Sequence, residues 1–410
     1  MSAKAAEIPL RRLSEVCERI TVGHVGPMVG EYIEDGIPFL RSLNITPFRL
    51  SLEGLKFISR DFHHRLRKSG LHPGDVVVVR TGYPGTACVI PDSLPQANCA
   101  DLVVITPSPD LNPYYLAAQL NSAWGRSVVA GHLVGAAQQH FNIHAARELT
   151  IPIPRRALQD RIAEILSAYQ DLIQDSLRRM KVLEEMARTL YREWFVALRF
   201  PCHERVHIAD GVPEGWERKR VDEMTSFLNR GIAPQYDDDA DGLVINQKCV
   251  RGGRLDLAHA RHQSREFRPD RQIQPGDVLV NSTGEGTLGR VAQVLAPVAN
   301  CTVDTHVTVV RPIAAVGFHY FGQALMEMET RFSTMGRGAT NQTELSRSQI
   351  GEVEVLVPPT TLVRQFEDFS RPCFRQIATL IERNENLRLT HDLLLPRLMS
   401  GQIRLDEAAA

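Results

Sequence analysis

The side chains best suited to chemistry sit on two glycine-bearing loops. One is Arg80-Thr81-Gly82-Tyr83-Pro84-Gly85-Thr86; the other is Asn281-Ser282-Thr283-Gly284-Glu285-Gly286-Thr287-Leu288-Gly289-Arg290. Glycine lets backbone N–H groups come close to a phosphate, and arginine and threonine donate to its oxygens. The chemistry is therefore anion binding, unless the glycines serve only to turn a hairpin. The second loop lacks the Gly-Lys-Ser/Thr ending of a nucleotide-binding P-loop. Basic residues gather ahead of each loop: Arg60, His63, His64, Arg65, Arg67 and Lys68, then Arg251, Arg254, Arg261, Arg265, Arg268 and Arg271. Such clusters suit an anionic partner or a solvated face.

Catalytic constellations are harder to find. Asp110-Leu111-Asn112-Pro113-Tyr114-Tyr115 lacks the second proline of an amino-methyltransferase motif, and Asn112 reads better as a helix N-cap with Pro113 in the first turn. Pro269-Asp270 opens a nuclease-like pattern, but Asp277 is followed by Val-Leu-Val, without the lysine. The run Asp237, Asp238, Asp239 and Asp241 lacks the alternation of a calcium loop and reads as a solvated turn. His63-His64, and His203 beside Cys202, have no partners at metal-ligand spacing. No Gly-x-Ser-x-Gly elbow and no dinucleotide fingerprint occur. No catalytic residue and no metal site are expected on this chain.

The elements that hold the two loops are written twice. Leu71-His72-Pro73-Gly74-Asp75-Val76-Val77 and Ile273-Gln274-Pro275-Gly276-Asp277-Val278-Leu279 stand 202 positions apart, as do Ala97-Asn98-Cys99 and Ala299-Asn300-Cys301. Gly135-Ala136 and Gly338-Ala339 follow at nearly that offset, and so do Ile151-Pro152-Ile153-Pro154 and Leu356-Val357-Pro358-Pro359. Solenoid repeats run only about 20–50 residues, so this is a duplicated domain. Strands are predicted at residues 76–79, 102–105, 278–280 and 307–310, rich in β-branched residues, and helices at 113–120 and 320–326. The reading is mixed α/β (α+β).

Each copy ends in a heptad helix. The first seam runs Ile162, Leu166, Tyr169, Ile173, Ser176, Met180, Leu183, Ala187, Leu190 and Trp194, with Pro201 as the stop. The second runs Phe366, Phe369, Cys373, Ile377, Leu380, Asn384, Leu387, His391 and Leu394, where Asn384 fixes register and Pro396 kinks or ends the helix. Each helix has one narrow apolar face. The economical solution is an antiparallel coiled coil of the two, the other being that each packs on its own domain. A segment of about 33 residues would be roughly 50 Å long.

Composition sets the outer bounds. The chain has 410 residues, 43% hydrophobic and 23% charged, with a net charge of −1. That length suits two domains. No stretch approaches the roughly 18 uncharged apolar residues of a membrane span, and the N-terminus carries no apolar secretory core. Seven cysteines, at 17, 88, 99, 202, 249, 301 and 373, form no Cys-x-x-Cys pair. A cytoplasmic protein is expected.

Several stretches resemble a known family. Ile151 to Pro154, then Arg161-Ile162-Ala163-Glu164-Ile165-Leu166-Ser167-Ala168 and Leu183-Glu184-Glu185-Met186-Ala187-Arg188-Thr189-Leu190-Tyr191-Arg192-Glu193-Trp194-Phe195-Val196, resemble the central conserved region of type I restriction–modification specificity subunits. Leu394-Leu395-Pro396-Arg397-Leu398-Met399-Ser400-Gly401-Gln402-Ile403-Arg404-Leu405 resembles their distal conserved region, and Gly211-Val212-Pro213-Glu214-Gly215-Trp216-Glu217 the opening of a target-recognition domain. The first module departs from this pattern, beginning at Glu7-Ile8-Pro9-Leu10 without the Gly-Trp opening. Where the family has Glu-Gln at the helix starts, this chain has Gln159-Asp160 and Arg364-Gln365.

The resemblance implies a first target-recognition domain at residues 1–154, a central conserved helix at 155–200, a linker at 201–211, a second recognition domain at 212–359, and a C-terminal conserved helix and tail at 360–410. It implies a non-catalytic, DNA-reading specificity subunit. Each domain would read one half of a bipartite double-stranded site, and the helices would set the spacer. Two modification (methyltransferase) subunits, which carry S-adenosylmethionine, would dock on the chain. Restriction (translocase and nuclease) subunits would join them, and the chain itself would hold no cofactor. Arginine reads guanine, and asparagine or glutamine reads adenine. The expected DNA contacts are Arg80, Thr81, Gly82, Gln138, Gln139, Arg251, Arg254, Asn281, Thr283, Arg290, Asn341 and Gln342. Gln138 and Gln342 could equally face the modification subunit. The rival readings are a self-contained DNA methyltransferase or nuclease with divergent motifs, and a scaffold that binds no DNA.

Overall fold

The computed structural model describes residues 8–132, 140–336, 344–399 and 403. It divides into two compact units, Met1–Asp175 with Arg383–Ala410, and Ser176–Glu382.

In the first unit an antiparallel sheet runs in the order Ala87–Val89, Val76–Val79, Leu102–Pro107, Cys17–Val22. Its central strands are apolar at successive positions because both faces are covered. Side chains alternate across a strand, so Val76, Val78, Val103 and Ile105 enter one core with the helices, while Val77, Val79, Leu102 and Val104 enter another. The second core lies against a five-stranded sheet in which Ala97–Cys99 runs parallel to Ile37–Leu40. Pro113–Asn121 is helical, and the Asn112 side chain accepts from the Tyr114 and Tyr115 N–H groups, 2.8 and 3.1 Å away. Leu10–Arg12 pairs with Thr150–Pro152, so the start of the module lies beside its end.

The second unit repeats this plan. Its sheet runs Thr225–Arg230, Val307–Pro312, Val278–Asn281, Val291–Gln293. Val278, Val280 and Val310 face the helical side, whereas Leu279, Val307 and Val309 face the smaller sheet. Glu217–Arg220 pairs with Glu354–Val357.

Strand register corrects one part of the sequence alignment. Val78 pairs with Ala87 nine positions on, but Val280 pairs with Val291 eleven positions on. The second glycine loop is therefore two residues longer. Downstream, Ala97 sits opposite Leu71, while the Ile273 N–H bonds the Cys301 carbonyl. Ala97-Asn98-Cys99 thus corresponds to Cys301-Thr302-Val303, and the second Ala-Asn-Cys triplet is a coincidence two residues out of register.

The long helices are Arg156–Tyr191, continued by a wider π-type turn at Arg192–Val196, and Thr360–Met399. In the first unit Ile162 and Leu166 share a core with Leu394 and Leu398, and Gln170 meets His391. In the second, Met180 and Ala187 pack with Phe374, Ile377 and Leu380. Early residues of one helix meet late residues of the other, so the helices pack antiparallel. Burying each such Leu or Ile contributes about 2 kcal/mol. Ile162, Leu166, Ile173, Met180, Ile377, Leu380 and Asn384 are buried; Tyr169, Leu183, Leu190, Trp194 and Leu387 are half-buried. Two seam expectations need correcting. Phe369 is 39% exposed and Ser370 is buried in its place, which restores the four–three spacing from Phe366 to Cys373. Pro396 does not end the helix, which runs three residues further to Met399 and also passes through Pro372.

Candidate nucleic-acid interface

In the first unit the glycine loop leaves the Val76–Val79 strand at Arg80. The Arg80 guanidinium bonds the Asp101 carboxylate at 2.5 Å and the Phe141 carbonyl at 3.2 Å. Its side chain is only 16% exposed, so it shapes the loop base more than it offers a free cation. Thr81 reaches the other Asp101 oxygen at 3.5 Å. Gly82 takes a φ of 86°, a conformation that strains an L side chain. It brings Tyr83 to the tip, 82% exposed. Gln138 and Gln139 lie outside the described residues, but Phe141, two positions on, donates its N–H to the Arg80 carbonyl.

The second loop is built differently. Asn281 is fully buried and its amide donates to the Gln247 and Thr287 carbonyls, which holds the loop's two ends together. Thr283 is bonded to Gln247 Nε2 and His306 Nδ1, both at 2.8 Å. Gly289 needs its lack of a side chain, since a Cβ would stand 2.3 Å from the Ser333 nitrogen. Arg290 is half-buried and holds the Gly286 carbonyl at 2.9 Å. Gly284, Glu285, Gly286, Leu288, Arg290 and Glu329 line an open cleft of about 520 Å³ that offers both donors and carboxylate acceptors. Asn341 and Gln342 lie outside the described residues; Glu344 bridges to Thr283, and the Leu345 N–H bonds the Ser282 carbonyl. In both modules the chain at Phe141 and at Glu344–Leu345 therefore returns to the glycine loop.

The basic clusters prove mostly occupied. Arg254 is paired with Glu184 at 2.8 Å and touches the Met180 sulfur at 3.4 Å. Arg265 and Arg271 strap the carbonyls of Ala233 and Arg230, and Arg268 pairs with Asp270. Arg251 is exposed and has no side-chain partner among the described residues. One exposed arrangement recurs at matching register. Lys56 lies over the Tyr32 ring at 5.9 Å, and Arg261 over the Tyr236 ring at 3.5 Å, each diagonal to the pairing Tyr32–Ile58 or Tyr236–Gln263. In the first cluster His63 is held by Gln96 and Asn98, and burial lowers its pKa.

Among the described residues no three His, Cys, Asp or Glu side chains could hold a metal ion. Burial pushes the Cys17 and Cys301 thiols up to about 12 and raises those of Cys88 and Cys99 further, so none of the four is a thiolate near neutrality. Among the described residues no helix is long and apolar enough to cross a membrane.

No family model matches the chain. Two proteins do. The specificity subunit of the type I restriction enzyme MjaIX from Methanocaldococcus jannaschii is 24% identical over 64% of this chain and 62% of its own length. That of HindI from Haemophilus influenzae is 22% identical over 62% of this chain and 69% of its own length. The chain is thus similar to type I specificity subunits over part of its length. It spans less than two thirds of the first relative's length. The fold of the chain is similar to that in the crystal structure of a type I restriction–modification S subunit from M. genitalium, with a TM-score of 0.57, 13% identity, and coverage of 97% of this chain and 98% of that one.

Proposed function

We propose that this chain is the DNA-reading subunit of a type I restriction–modification complex, each module recognising one half of a bipartite double-stranded site. What carries the reading is the contrast inside the duplication. Two modules share a sheet, register and closing strands, yet their glycine loops differ in length and chemistry. Two readers built on one scaffold should differ where bases are contacted and agree where the scaffold is held. Thr81, Gly82 and Tyr83 in one loop, and Thr283, Glu285 and Arg290 in the other, are the proposed base-edge contacts, and Gln138, Gln139, Asn341 and Gln342 are proposed as further ones. Arg251, and the cations over Tyr32 and Tyr236, suit phosphate. Asn281 and Arg80 hold the loops in shape.

Methyltransferase subunits carrying S-adenosylmethionine would dock on the chain, which binds no cofactor itself, and restriction subunits would complete the complex. The antiparallel helices would set the gap between half-sites. The test is to express the chain with its modification partner in a methylation-free host and sequence the methylated adenines. A split motif with a fixed gap is expected; a continuous motif refutes the two-module reading. Inserting one heptad in each long helix adds about 10 Å, and should lengthen the gap by about 3 base pairs while leaving both halves unchanged.

A further inference from the structure

A two-stranded hairpin in each module reaches the long helices, and these hairpins lie outside the glycine loops. In the first unit the hairpin is Ile45–Thr46 with Arg49–Leu50. Its tip carries Phe48 at a φ of 69°, a left-handed conformation that a bulky side chain rarely takes. Phe48 is held there: its N–H bonds the Ala87 carbonyl at 2.9 Å, and its ring meets His391 edge-on at 5.1 Å. His391 lies on the second long helix, 4% exposed. The neighbouring Arg49 pairs with Asp171 on the first long helix. One hairpin tip thus touches both helices.

In the second unit the matching hairpin is Val250–Arg251 with Arg254–Leu255. Gly252 and Gly253 make its turn at φ values of 59° and 78°, the left-handed pair that a tight hairpin favours. Arg254 corresponds to Arg49, and grips Glu184 and the Met180 sulfur on the first long helix. Both partners of that pair are less than a third exposed, so the contact is better shielded than an ordinary surface ion pair. The duplication does not require this ion pair to be inherited. The position on the second helix that matches Asp171 is Arg375, which would repel Arg254. The arginine nevertheless has an acid, supplied by the other helix. Each hairpin therefore holds the helix pair by its own contact, an aromatic tip in one module and a shielded ion pair in the other.

We propose that these hairpins are latches that set the angle at which each module is held on the helix pair, and thereby the spacing at which the two half-sites are accepted. Phe48, Arg49 and Arg254 are positioning residues and read no base. This rests on the bipartite reading above, so the experiment has one arm that needs DNA and one that does not.

In the first arm the full chain is co-expressed with its modification partner and challenged with a library in which the gap varies by one base pair either side of the wild-type length. For Arg254→Ala, and for Phe48→Gly with Arg49→Ala, methylation at off-length gaps relative to the native gap should rise about ten-fold, with both half-site sequences unchanged. Glycine is at ease at a φ of 69°, so Phe48→Gly relieves strain while it removes the latch. Glu184→Arg with Arg254→Glu should restore discrimination. A ratio within two-fold of wild type for every variant, or a loss confined to a base position, overturns the proposal. In the second arm, amide hydrogen exchange on the purified chain should show residues 250–255 of Arg254→Ala losing at least ten-fold protection while the Val278–Asn281 strand keeps its own. Unchanged hairpin protection overturns the latch whatever the DNA result. A wild-type chain without a split motif, but with the exchange result, overturns the bipartite reading and the spacing role while leaving the latch contact intact.

Discussion

The two modules solve one electrostatic problem in two ways. Each has a buried aspartate in its Pro-Gly-Asp turn, Asp75 or Asp277, that accepts the N–H three residues back, from His72 or Gln274. In the first module the counter-charge is Arg19, 2.8 Å away, on the outer strand, and Thr106 on the neighbouring strand donates to the other oxygen. In the second module the arginine has moved across the strand pair. Arg311 stands where Thr106 stood and forks onto both oxygens of Asp277 at 2.7 and 2.8 Å, while Phe227 fills the place of Arg19 and lies under the guanidinium. The carboxylate stays and its partner changes strand. A buried ion must be compensated, but the fold is indifferent to which side the compensation comes from. The repeated motif that stands out most in the sequence is thus scaffold.

The largest effect expected is from breaking that pair. Asp277→Ala leaves the largely buried Arg311 guanidinium with two backbone carbonyls but no counter-charge, and should cost the second unit about 3–5 kcal/mol in denaturant unfolding. Phe227→Arg with Arg311→Thr would install the first module's solution and should recover most of the stability that Arg311→Thr alone loses. Failure to recover would mean the two solutions are not interchangeable.

A second contrast predicts a pH effect in one unit alone. Gln159 binds the start of the Pro113–Asn121 helix, accepting from the Asn112 N–H. In the other unit Glu367 does this, accepting from the His319 and Tyr320 N–H groups and bonding His319 Nδ1 at 3.0 Å. Burial lowers the His319 pKa from 6.5 to about 4. A depressed folded pKa stabilises above the unfolded value and the benefit is lost as pH falls, here from 6.5 towards 4. Burial raises the Glu367 pKa, which works in the opposite sense and blunts the loss at the acid end. Unfolding at pH 7 and pH 4.5 should show the second unit weakened by about 2 kcal/mol, with His319→Asn flattening the dependence.

Smaller effects separate readers from scaffold. Arg290→Ala should relax one base position of one half-site by about 1–3 kcal/mol, seen as degeneracy in the methylated motif. Arg251→Ala should weaken binding to all sequences alike and lower the salt slope by about one. If it relaxes a single position instead, the hairpin is a reader and not a phosphate contact.

The duplication, the strands at residues 76–79 and 278–281, the Asn112 cap and the helix seams could be read directly, because each is a local pattern with a period or a spacing. Register errors entered where local likeness misled. The two Ala-Asn-Cys triplets match by letters, but the longer second loop shifts the strand pairing by two residues. Phe369 reads as a seam residue because it is apolar, yet helical phase places Ser370 there. The sequence by itself determined two modules, two long heptad helices and the loops with donors to spare, while the antiparallel packing of the helices came from the fold. Only the tertiary structure decided which arginines are free. Arg254 belongs to Glu184, Arg80 to Asp101, Arg19 to Asp75 and Arg311 to Asp277. An ion pair forms between side chains that folding brings within a few ångströms, and no spacing along the chain encodes that distance.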